Sequence, residues 1–405
     1  MTEGSVISIR ILLVHNFYQW PGGEDQVFAA EGELLEQHGH VVSRYTLHND
    51  EVVQLGKASL AGKTLWNASV YRELTKVCRD LQPDVVHFHN TFPLVSPAAY
   101  YAVRRQGIGV VQTLHNYRLI CPGTTLFRSG STCEACVGSA IPWRSVAHRC
   151  YRNSVSASAG AALLGATHRL ARTWTRAVDR YIAPSDFVRD KFVEGGFPAG
   201  KIVTKPHFVP ADPGAGEHRG GYGLFVGRLS DEKGIRVLME ACTREGATFP
   251  IKIVGDGPLA PLLNDRPPHV EWVGQQSKAA VMQLMKDASF LIFPSECYET
   301  FGLTIVEAFA TGLPVIGSGA GAAAELIDDD RTGLHFELGD ADDLARKLEW
   351  AEANPEAMAI LGAAARREYL ERYTAERNYR LLMDIYEEVV GTAQPGGTPN
   401  AAVPA

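Results

Sequence analysis

Residues 290–317 have the sequence FLIFPSECYETFGLTIVEAFATGLPVIG, and this stretch decides the fold. Apolar runs at 290–293 and 314–317 stand on either side of a polar loop and a helical segment. A strand, a loop, a helix and a second strand in this order are typical of a parallel α/β unit. Glu299 is predicted in the loop after the first strand, and Glu307 two turns into the helix. We therefore expect a ligand site at the carboxyl end of this strand.

The first turn of that helix is predicted to consist of Thr300, Phe301, Gly302 and Leu303. Backbone N–H groups in a first helical turn have no partner within the helix, so they suit phosphate oxygens or sugar hydroxyls. A carboxylate at each end of the turn can accept hydrogen bonds from vicinal hydroxyls. The pattern thus favours a phosphorylated ligand rich in hydroxyl groups.

The alternation of short apolar strands with helical segments extends in both directions from this stretch. Further strands are predicted at 222–227, 251–255 and 270–274 in the C-terminal half, and at 8–14, 84–89, 109–115 and 180–185 in the N-terminal half. A Gly- and Pro-rich stretch at 210–221 separates the two series. The chain is therefore predicted to be an α/β protein with two Rossmann-like domains, each around a parallel sheet.

Length and composition agree with two such domains and exclude several classes of function. The 405 residues are too many for one ordinary core. A formal net charge of −7 argues against nucleic-acid binding by the whole molecule. The N-terminus lacks the pattern of a signal peptide, and no apolar run is long enough to span a membrane, so we expect a cytoplasmic protein.

Three further segments carry candidate binding residues. Residues 226–234 (VGRLSDEKG) contain Arg228 and Lys233 in a turn after a strand. Gly22 and Gly23 follow the first predicted strand, where glycine allows a backbone to approach a ligand closely. His115 follows the strand at 109–115, and a neutral imidazole there could hydrogen-bond a sugar hydroxyl. His87 and His89, at another strand end, are interpreted as packing and loop residues.

Together these segments resemble the family 4 glycosyltransferases. The resemblance rests on the two glutamates of 290–317, on residues 226–234, and on the Pro-Gly-Gly-Glu segment at 21–24. It implies the GT-B fold, in which two Rossmann-like domains face each other across a cleft. An acceptor-binding domain would then span 1–209 and a donor-binding domain 210–372, with a helix at 373–390 packing back on the first domain. We expect the tail, 391–405, to be disordered.

The resemblance also implies roles for the candidate residues. Glu299 would hold hydroxyls of the donor sugar and Glu307 those of the ribose, while Arg228 and Lys233 would neutralise the diphosphate. His115 matches the active-site histidine of the family, and Gly22 and Gly23 would approach the phosphates from the other domain. The family is retaining, which implies front-face attack by the acceptor. We expect no cofactor for catalysis, because Asp328, Asp329 and Asp330 form the pattern of an exposed turn and not of a metal site.

Four of the seven cysteines form a cluster that the resemblance does not explain. Cys121, Cys133, Cys136 and Cys150 are spaced by eleven, two and thirteen residues. A Cys-x2-Cys pair with two more thiols can form a tetrahedral zinc site. A structural zinc, free thiols and a disulfide or redox role all stay open as interpretations.

Residues 141–180 are rich in arginine and contain a single acid, Asp179. Leucines and a tryptophan interleave with Arg144, Arg149, Arg152, Arg169, Arg172, Arg176 and Arg180. A basic, partly amphipathic helix can lie on anionic lipid, which would suit a lipid-linked acceptor and a peripheral position on the inner face of a membrane. The alternative is a solvated helix face.

Two other functions compete with glycosyl transfer. Residues 317–322 (GSGAGA) follow a strand and resemble a dinucleotide fingerprint, which would favour an NAD-dependent oxidoreductase. This motif lies in the last strand–helix unit of its domain, however, and not in the first. An inactive partner subunit that binds sugar nucleotides is the second alternative, and the joint presence of Arg228, Lys233, Glu299 and Glu307 argues against it.

Overall fold

The computed structural model describes residues 8–20 and 22–392 of the chain. Its strands, in chain order, are β1 (Arg10–Phe17), β2 (Val41–His48), β3 (Val85–Phe88), β4 (Gly109–Thr113), β5 (Phe127–Arg128), β6 (Ser131–Thr132), β7 (Arg180–Ala183), β8 (Ile202–Thr204), β9 (Gly223–Val226), β10 (Ile251–Val254), β11 (Val270–Gly274), β12 (Phe290–Phe293), β13 (Val315–Ser318) and β14 (Gly333–Phe336).

The helices, in chain order, are α1 (Gly23–Gln37), α2 (Lys57–Leu65), α3 (Ala68–Leu81), α4 (Ala98–Arg104), α5 (Trp143–Ala147), α6 (Val155–Leu170), α7 (Thr173–Arg176), α8 (Asp186–Glu194), α9 (Ile235–Cys242), α10 (Lys278–Asp287), α11 (Leu303–Thr311), α12 (Gly321–Leu326), α13 (Ala341–Ala353), α14 (Pro355–Arg372) and α15 (Ala375–Thr392). Short 3-10 turns lie at Asn49–Gln54, Ala199–Lys201, Asp231–Lys233 and Ala260–Asp265.

Two six-stranded parallel sheets organise these elements, as the sequence predicted. The first has the order β2-β1-β3-β4-β7-β8, and the second has the order β11-β10-β9-β12-β13-β14. Strand order reverses at β1/β3 in the first sheet and at β9/β12 in the second. In open α/β sheets, ligands bind outside the carboxyl ends of the strands at such reversals. The loops after β1, β3, β4, β9 and β12 are therefore the expected walls of a site.

Apolar strand residues fill the core of each sheet. Leu12, Val86 and Val110, from the centre of the first sheet, are fully buried between the helices that cover its two faces. Leu224 and Ile292 are buried in the same way in the second sheet. Continuous apolar runs are what a parallel sheet covered on both faces requires. Among the described residues, no helix combines the length and the hydropathy needed to cross a membrane.

The last helix, α15, returns to the first sheet. Its residues Leu382 and Tyr386 are fully buried against the core of β1 and β4, and the chain crosses over where Val209 pairs with Thr374. The division at 209/210 and at 372/373 stays a prediction, and the crossover lies beside both positions. The helix spans Ala375–Thr392 and not 373–390, so the first two residues of the segment expected to be disordered are helical. The rest of that segment lies outside the described residues.

Candidate active site

A cavity of about 640 Å³ lies between the carboxyl ends of the two sheets. The first sheet contributes Tyr18, Gly22, Gly23, Glu24, His115 and Asn116, and the second contributes Gly227, Arg228, Lys233, Ser295, Glu299, Thr300, Phe301, Gly302, Leu303 and Glu307. The structure therefore brings together every residue that the sequence suggested for the reaction and for donor binding. The four cysteines suggested as metal ligands lie outside this cavity.

Lys233 and Glu299 form an ion pair at the centre of the second-sheet wall. Lys233 ends the 3-10 turn after β9, Glu299 lies in the loop after β12, and Nζ is 2.6 Å from Oε1. Ser295 Oγ also donates a hydrogen bond to Oε1, at 2.6 Å. Burial alone would raise the pKa of the Glu299 carboxyl, but the Lys233 charge and these hydrogen bonds lower it below its usual range. Glu299 is therefore held as a carboxylate.

A glycine makes this pairing sterically feasible. Gly234 has φ +69°, and a Cβ built on it would collide with the carbonyl oxygen of Pro294. Because glycine has no side chain, the turn after β9 can pack directly on the loop after β12. This close approach brings Lys233 within reach of Glu299.

The helix after Glu299 starts later than the sequence indicated. α11 begins at Leu303, so Thr300 and Phe301 precede it, and the prediction that 300–303 form its first turn is wrong. Gly302 is the N-cap residue with φ +110°, a left-handed conformation that favours glycine and prevents the helix from starting earlier. The amides of Leu303 and Thr304 have no backbone partner among the described residues, and both residues line the cavity.

Glu307 lies one turn into α11 and not two, as a consequence of the later start. Its Oε1 is 3.7 Å from Nζ of Lys278 at the start of α10. Burial raises the pKa of the Glu307 carboxyl although Lys278 opposes the shift. Arg228 is exposed in the same wall, with no side-chain hydrogen bond or ion pair to any described residue. Its guanidinium is therefore available to a ligand.

On the opposite wall, Gly22 and Gly23 lie at the start of α1, and the preceding Pro21 lies outside the described residues. The Gly22 amide donates a hydrogen bond to Asp25 Oδ2 at 2.8 Å, which fixes the start of the helix. A Cβ built on Gly23 would lie 3.5 Å from Leu303 Cδ1, across the cavity. The two domains thus approach each other closely at this point.

His115 belongs to a column of four imidazoles, which we call the histidine column: His87, His89, His115 and His207. Neighbouring ring centroids are 4.4, 5.2 and 5.3 Å apart. His115 Nε2 and His89 Nδ1 are hydrogen-bonded at 3.0 Å. Burial lowers the pKa of all four rings, to about 3 for His87 and His207. His115 therefore meets the cavity as a neutral imidazole.

The inner end of the column contacts a buried ion pair. Lys205 Nζ is 2.6 Å from Glu31 Oε1, and Glu31 Oε2 is 3.6 Å from His89 Nε2. Glu31, His87 and His89 have potential metal-binding atoms within 4.8 Å of one another. Because the Lys205 ammonium already neutralises Glu31, we interpret this group as support for His115 and not as a metal centre.

Sequence reasoning missed a polar group on the first-sheet wall. Asn116 Nδ2 donates to Glu24 Oε2 at 3.1 Å, while Glu24 Oε1 is buried without a partner among the described residues. Burial raises the pKa of Glu24 to about 7, although the nearby Tyr18 hydroxyl, the charge of Arg118 and the Asn116 hydrogen bond lower it. The signal was present, since Glu24 follows Gly22 and Gly23 directly, and perturbed carboxyls in clefts are frequent functional groups.

The glycine-rich stretch 317–322 packs against the Glu299 loop. It begins at the end of β13, the fifth strand of its sheet in chain order, and runs into α12, whereas a dinucleotide fingerprint follows the first strand. A Cβ built on Gly321 would lie 3.0 Å from Tyr298 Cα and 3.3 Å from the Glu299 amide nitrogen. Close packing therefore explains this glycine without a dinucleotide.

Each half of the chain matches a known family of glycosyltransferases. The family described as Glycosyltransferase Family 4 matches residues 21–212. The family described as Glycosyl transferases group 1 matches residues 218–368. The first match contains Gly22, Gly23 and His115, and the second contains β9, β12, Glu299 and Glu307.

Individual relatives are more distant. A GDP-mannose-dependent alpha-mannosyltransferase of Corynebacterium glutamicum is 26% identical over 338 residues, which cover 79% of this chain and 71% of that protein. Glycosyltransferase MJ1178 of Methanocaldococcus jannaschii is 31% identical over 173 residues, 42% of this chain and 48% of that protein. The chain thus matches only about half the length of the second relative.

Among solved structures, Anabaena HepE in complex with UDP-glucose superposes with a TM-score of 0.67 at 18% identity, covering 94% of this chain and 100% of that one. At this identity the likeness concerns the fold alone. The two facing parallel sheets and the two family matches agree: the chain belongs to glycosyltransferase family 4 and has the GT-B fold.

Proposed function

We propose that the chain is a retaining glycosyltransferase that moves a hexose from a nucleotide diphosphate sugar to a glycan or lipid-linked acceptor, in polysaccharide or glycolipid biosynthesis. The observation that supports this most strongly is the shared cavity. In it, Arg228 and the Lys233–Glu299 pair of one domain stand opposite His115 and Gly23 of the other.

The second-sheet wall would bind the donor. Arg228 is available for a bidentate contact with the diphosphate, and Lys233 adds a point charge beside it. Glu299 would accept hydrogen bonds from the sugar hydroxyls and Glu307 from the ribose hydroxyls. Negative charge grows on the diphosphate as it leaves, so fixed cations there stabilise the transition state more than the ground state.

The first-sheet wall would face the sugar and the acceptor. The neutral imidazole of His115 can hydrogen-bond a sugar hydroxyl, and its contact with His89 fixes the ring. Retention would follow from front-face attack, in which the departing phosphate oxygen takes the proton of the acceptor hydroxyl. Glu24 would position that hydroxyl, because its Oε1 has no other partner among the described residues.

A thermal-shift panel of UDP-, GDP- and ADP-sugars without added metal tests the donor site. We expect one nucleotide class to raise the melting temperature, because a ligand that binds only the native state stabilises it. Activity with the matching sugar nucleotide and a glycan acceptor would then define the reaction. No shift with any donor, together with a shift by NADH, would instead support the oxidoreductase alternative.

The donor base stays open between these classes. HepE was solved with UDP-glucose, and the Corynebacterium relative is named for GDP-mannose. An inactive partner subunit would bind a sugar nucleotide without turning it over. The panel combined with an activity assay therefore separates all three functions.

Part of the basic stretch 141–180 supports the further proposal of contact with anionic lipid. Exposed side chains there include Arg144, Arg149, Arg152, Arg172, Arg176, Ile141, Trp143, Leu163 and Leu170. Arg180 is paired with Glu388, and Trp174 is buried in the core, so these two do not belong to the surface.

Charge reversal tests the lipid contact. Replacing Arg144, Arg149 and Arg152 by glutamate is expected to reduce co-sedimentation with vesicles rich in anionic lipid, since each basic residue near such a surface contributes about 1 kcal/mol. The matched control reverses Arg219, Arg346 and Arg367, which are exposed on the other domain. Equal co-sedimentation of the two triple variants would contradict the proposal.

A further inference from the structure

The segment between the His115 loop and α6 contains the cysteine loop, which we define as residues 121–150. It has little regular structure, because its elements are the two-residue strands β5 and β6 and the five-residue helix α5. All four of its cysteines are free of disulfides. Something other than regular secondary structure must therefore hold this loop in place.

The folding of the loop brings its four cysteines into one region. The β5–β6 hairpin returns the chain, and the Cys133 amide donates to the Leu126 carbonyl at 2.6 Å. A turn closes after Cys121, where the Thr124 amide donates to the Cys121 carbonyl at 2.9 Å. Cys136 follows Cys133 by one tight turn, and α5 leads back to Cys150. Elements far apart in the sequence thus converge.

Gly123 marks the point of convergence. A Cβ built on it would lie 3.7 Å from Cys121 Sγ and 3.3 Å from Cys150 Cβ, so these two side chains meet over the glycine. The Leu126 carbonyl, five residues after Cys121, accepts the Cys133 amide. The Cys-x2-Cys segment therefore starts beside the same turn.

The structure does not bring the four sulfurs to ligand distance. Among the described residues, no three of these sulfurs lie within 4.8 Å of one another. A tetrahedral Zn²⁺ site, with Zn–S near 2.3 Å, needs sulfurs about 3.8 Å apart. Metal binding would have to draw the sulfurs together, and the metal binding energy can drive such a closure.

We propose that Cys121, Cys133, Cys136 and Cys150 bind one Zn²⁺ as a structural site, separate from the transfer reaction. The donor set of four thiolates, two of them in a Cys-x2-Cys knuckle, suits Zn²⁺ better than a hard cation. The site would fasten a loop that begins three residues after Arg118. It would thereby hold the wall of the cavity that carries His115 and Asn116.

Metal content tests this proposal directly. Full-length protein purified without chelator is expected to contain about one zinc per chain by elemental analysis, as a single closed site requires. The Cys133→Ser/Cys136→Ser double variant should lose it. The control variant Cys242→Ala, which removes a buried thiol of the second domain, should keep it.

A second measurement covers the case in which the double variant does not fold. Wild-type protein loaded with Co²⁺ should show the thiolate-to-metal charge-transfer absorption of tetrahedral sulfur ligation, and Zn²⁺ should abolish it. Wild type that lacks zinc and, after reduction, shows no such absorption would overturn the proposal. If the mass of the intact protein under non-reducing conditions shows that the four cysteines form one or two disulfides, the cysteines are oxidised pairs and the proposal is overturned.

Discussion

Replacing Lys233 by alanine is expected to lower kcat at least a hundredfold, which corresponds to about 3 kcal/mol of transition-state stabilisation. Lys233 is the cation nearest to Glu299 in the cavity, and its charge would meet the diphosphate as the bond to the sugar breaks. Glu299→Ala is expected to have an effect of similar size, because it removes both the hydrogen-bond acceptor for the sugar and the partner of Lys233. Steady-state kinetics with the donor identified by thermal shift measure both effects.

The matched control for this experiment is Lys252→Ala. Lys252 lies on β10 of the same domain and pairs with Glu271 at 3.8 Å, and its side chain is 30% exposed compared with 32% for Lys233. It lies outside the cavity, so its kcat should stay near the wild-type value. Circular dichroism should show that all three variants fold. Near-normal kcat in both Lys233→Ala and Glu299→Ala would reject the site assignment.

The free energy of unfolding is expected to fall steeply below pH 6.5 because of the histidine column. Burial lowers the pKa of these four rings, so they stay neutral in the native state. In the unfolded chain they bind protons below their ordinary pKa of 6.5. The unfolded state then binds more protons than the native state. Each ring therefore lowers the free energy of unfolding by about 1.4 kcal/mol for every pH unit below 6.5. For His87 and His207 the loss of stability continues until about pH 3, because these rings take up a proton in the native state only there.

Guanidinium unfolding at pH 7, 6 and 5 measures this slope, and four such rings would give about 5 kcal/mol per pH unit. His207→Phe should reduce the slope by about one ring's share, since His207 Nδ1 is buried without a hydrogen bond in the described structure. His148→Gln, at an exposed position, should leave it unchanged. Equal slopes in wild type and His207→Phe would show that His207 ionises freely in the native state.

The sequence was sufficient for most of the fold because apolar periodicity and glycine positions are local signals. The runs at 290–293 and 314–317 became β12 and β13, and the glutamates between them line the cavity. The start of α11 was misplaced by three residues, since the left-handed conformation of Gly302 is set by tertiary packing. A helical pattern alone does not record that constraint.

The histidine column could not be predicted in the same way. His87 lies in β3 and His89 directly after it, while His115 follows β4 and His207 follows β8. Their proximity depends on which strands are neighbours, and the chain order does not fix the order of strands in a sheet. Glu24 was overlooked for a different reason. The raised pKa of its carboxyl comes from burial beside Asn116 and Tyr18, and only the three-dimensional structure shows this burial.

The crossover at Val209 and Thr374 has a consequence for how the cleft opens. Both chain connections between the two sheets pass through this one backbone contact, so the halves can separate by rotating about it, as about a hinge. Away from this crossover, Glu325 of the second domain accepts hydrogen bonds from the Asp186 and Phe187 amides of the first domain, at 2.9 and 2.8 Å.

Near the cavity itself, Thr300 Oγ1 donates to the His115 carbonyl at 3.0 Å, and Tyr117 donates to the Glu299 carbonyl. Each such bond contributes only about 1 kcal/mol net. Rotation about the hinge therefore has to break a few weak contacts, two of which involve the loops that carry His115 and Glu299. If His115 and Glu299 have the proposed roles, closure of the cleft around a donor would bring the two residues together in the same movement.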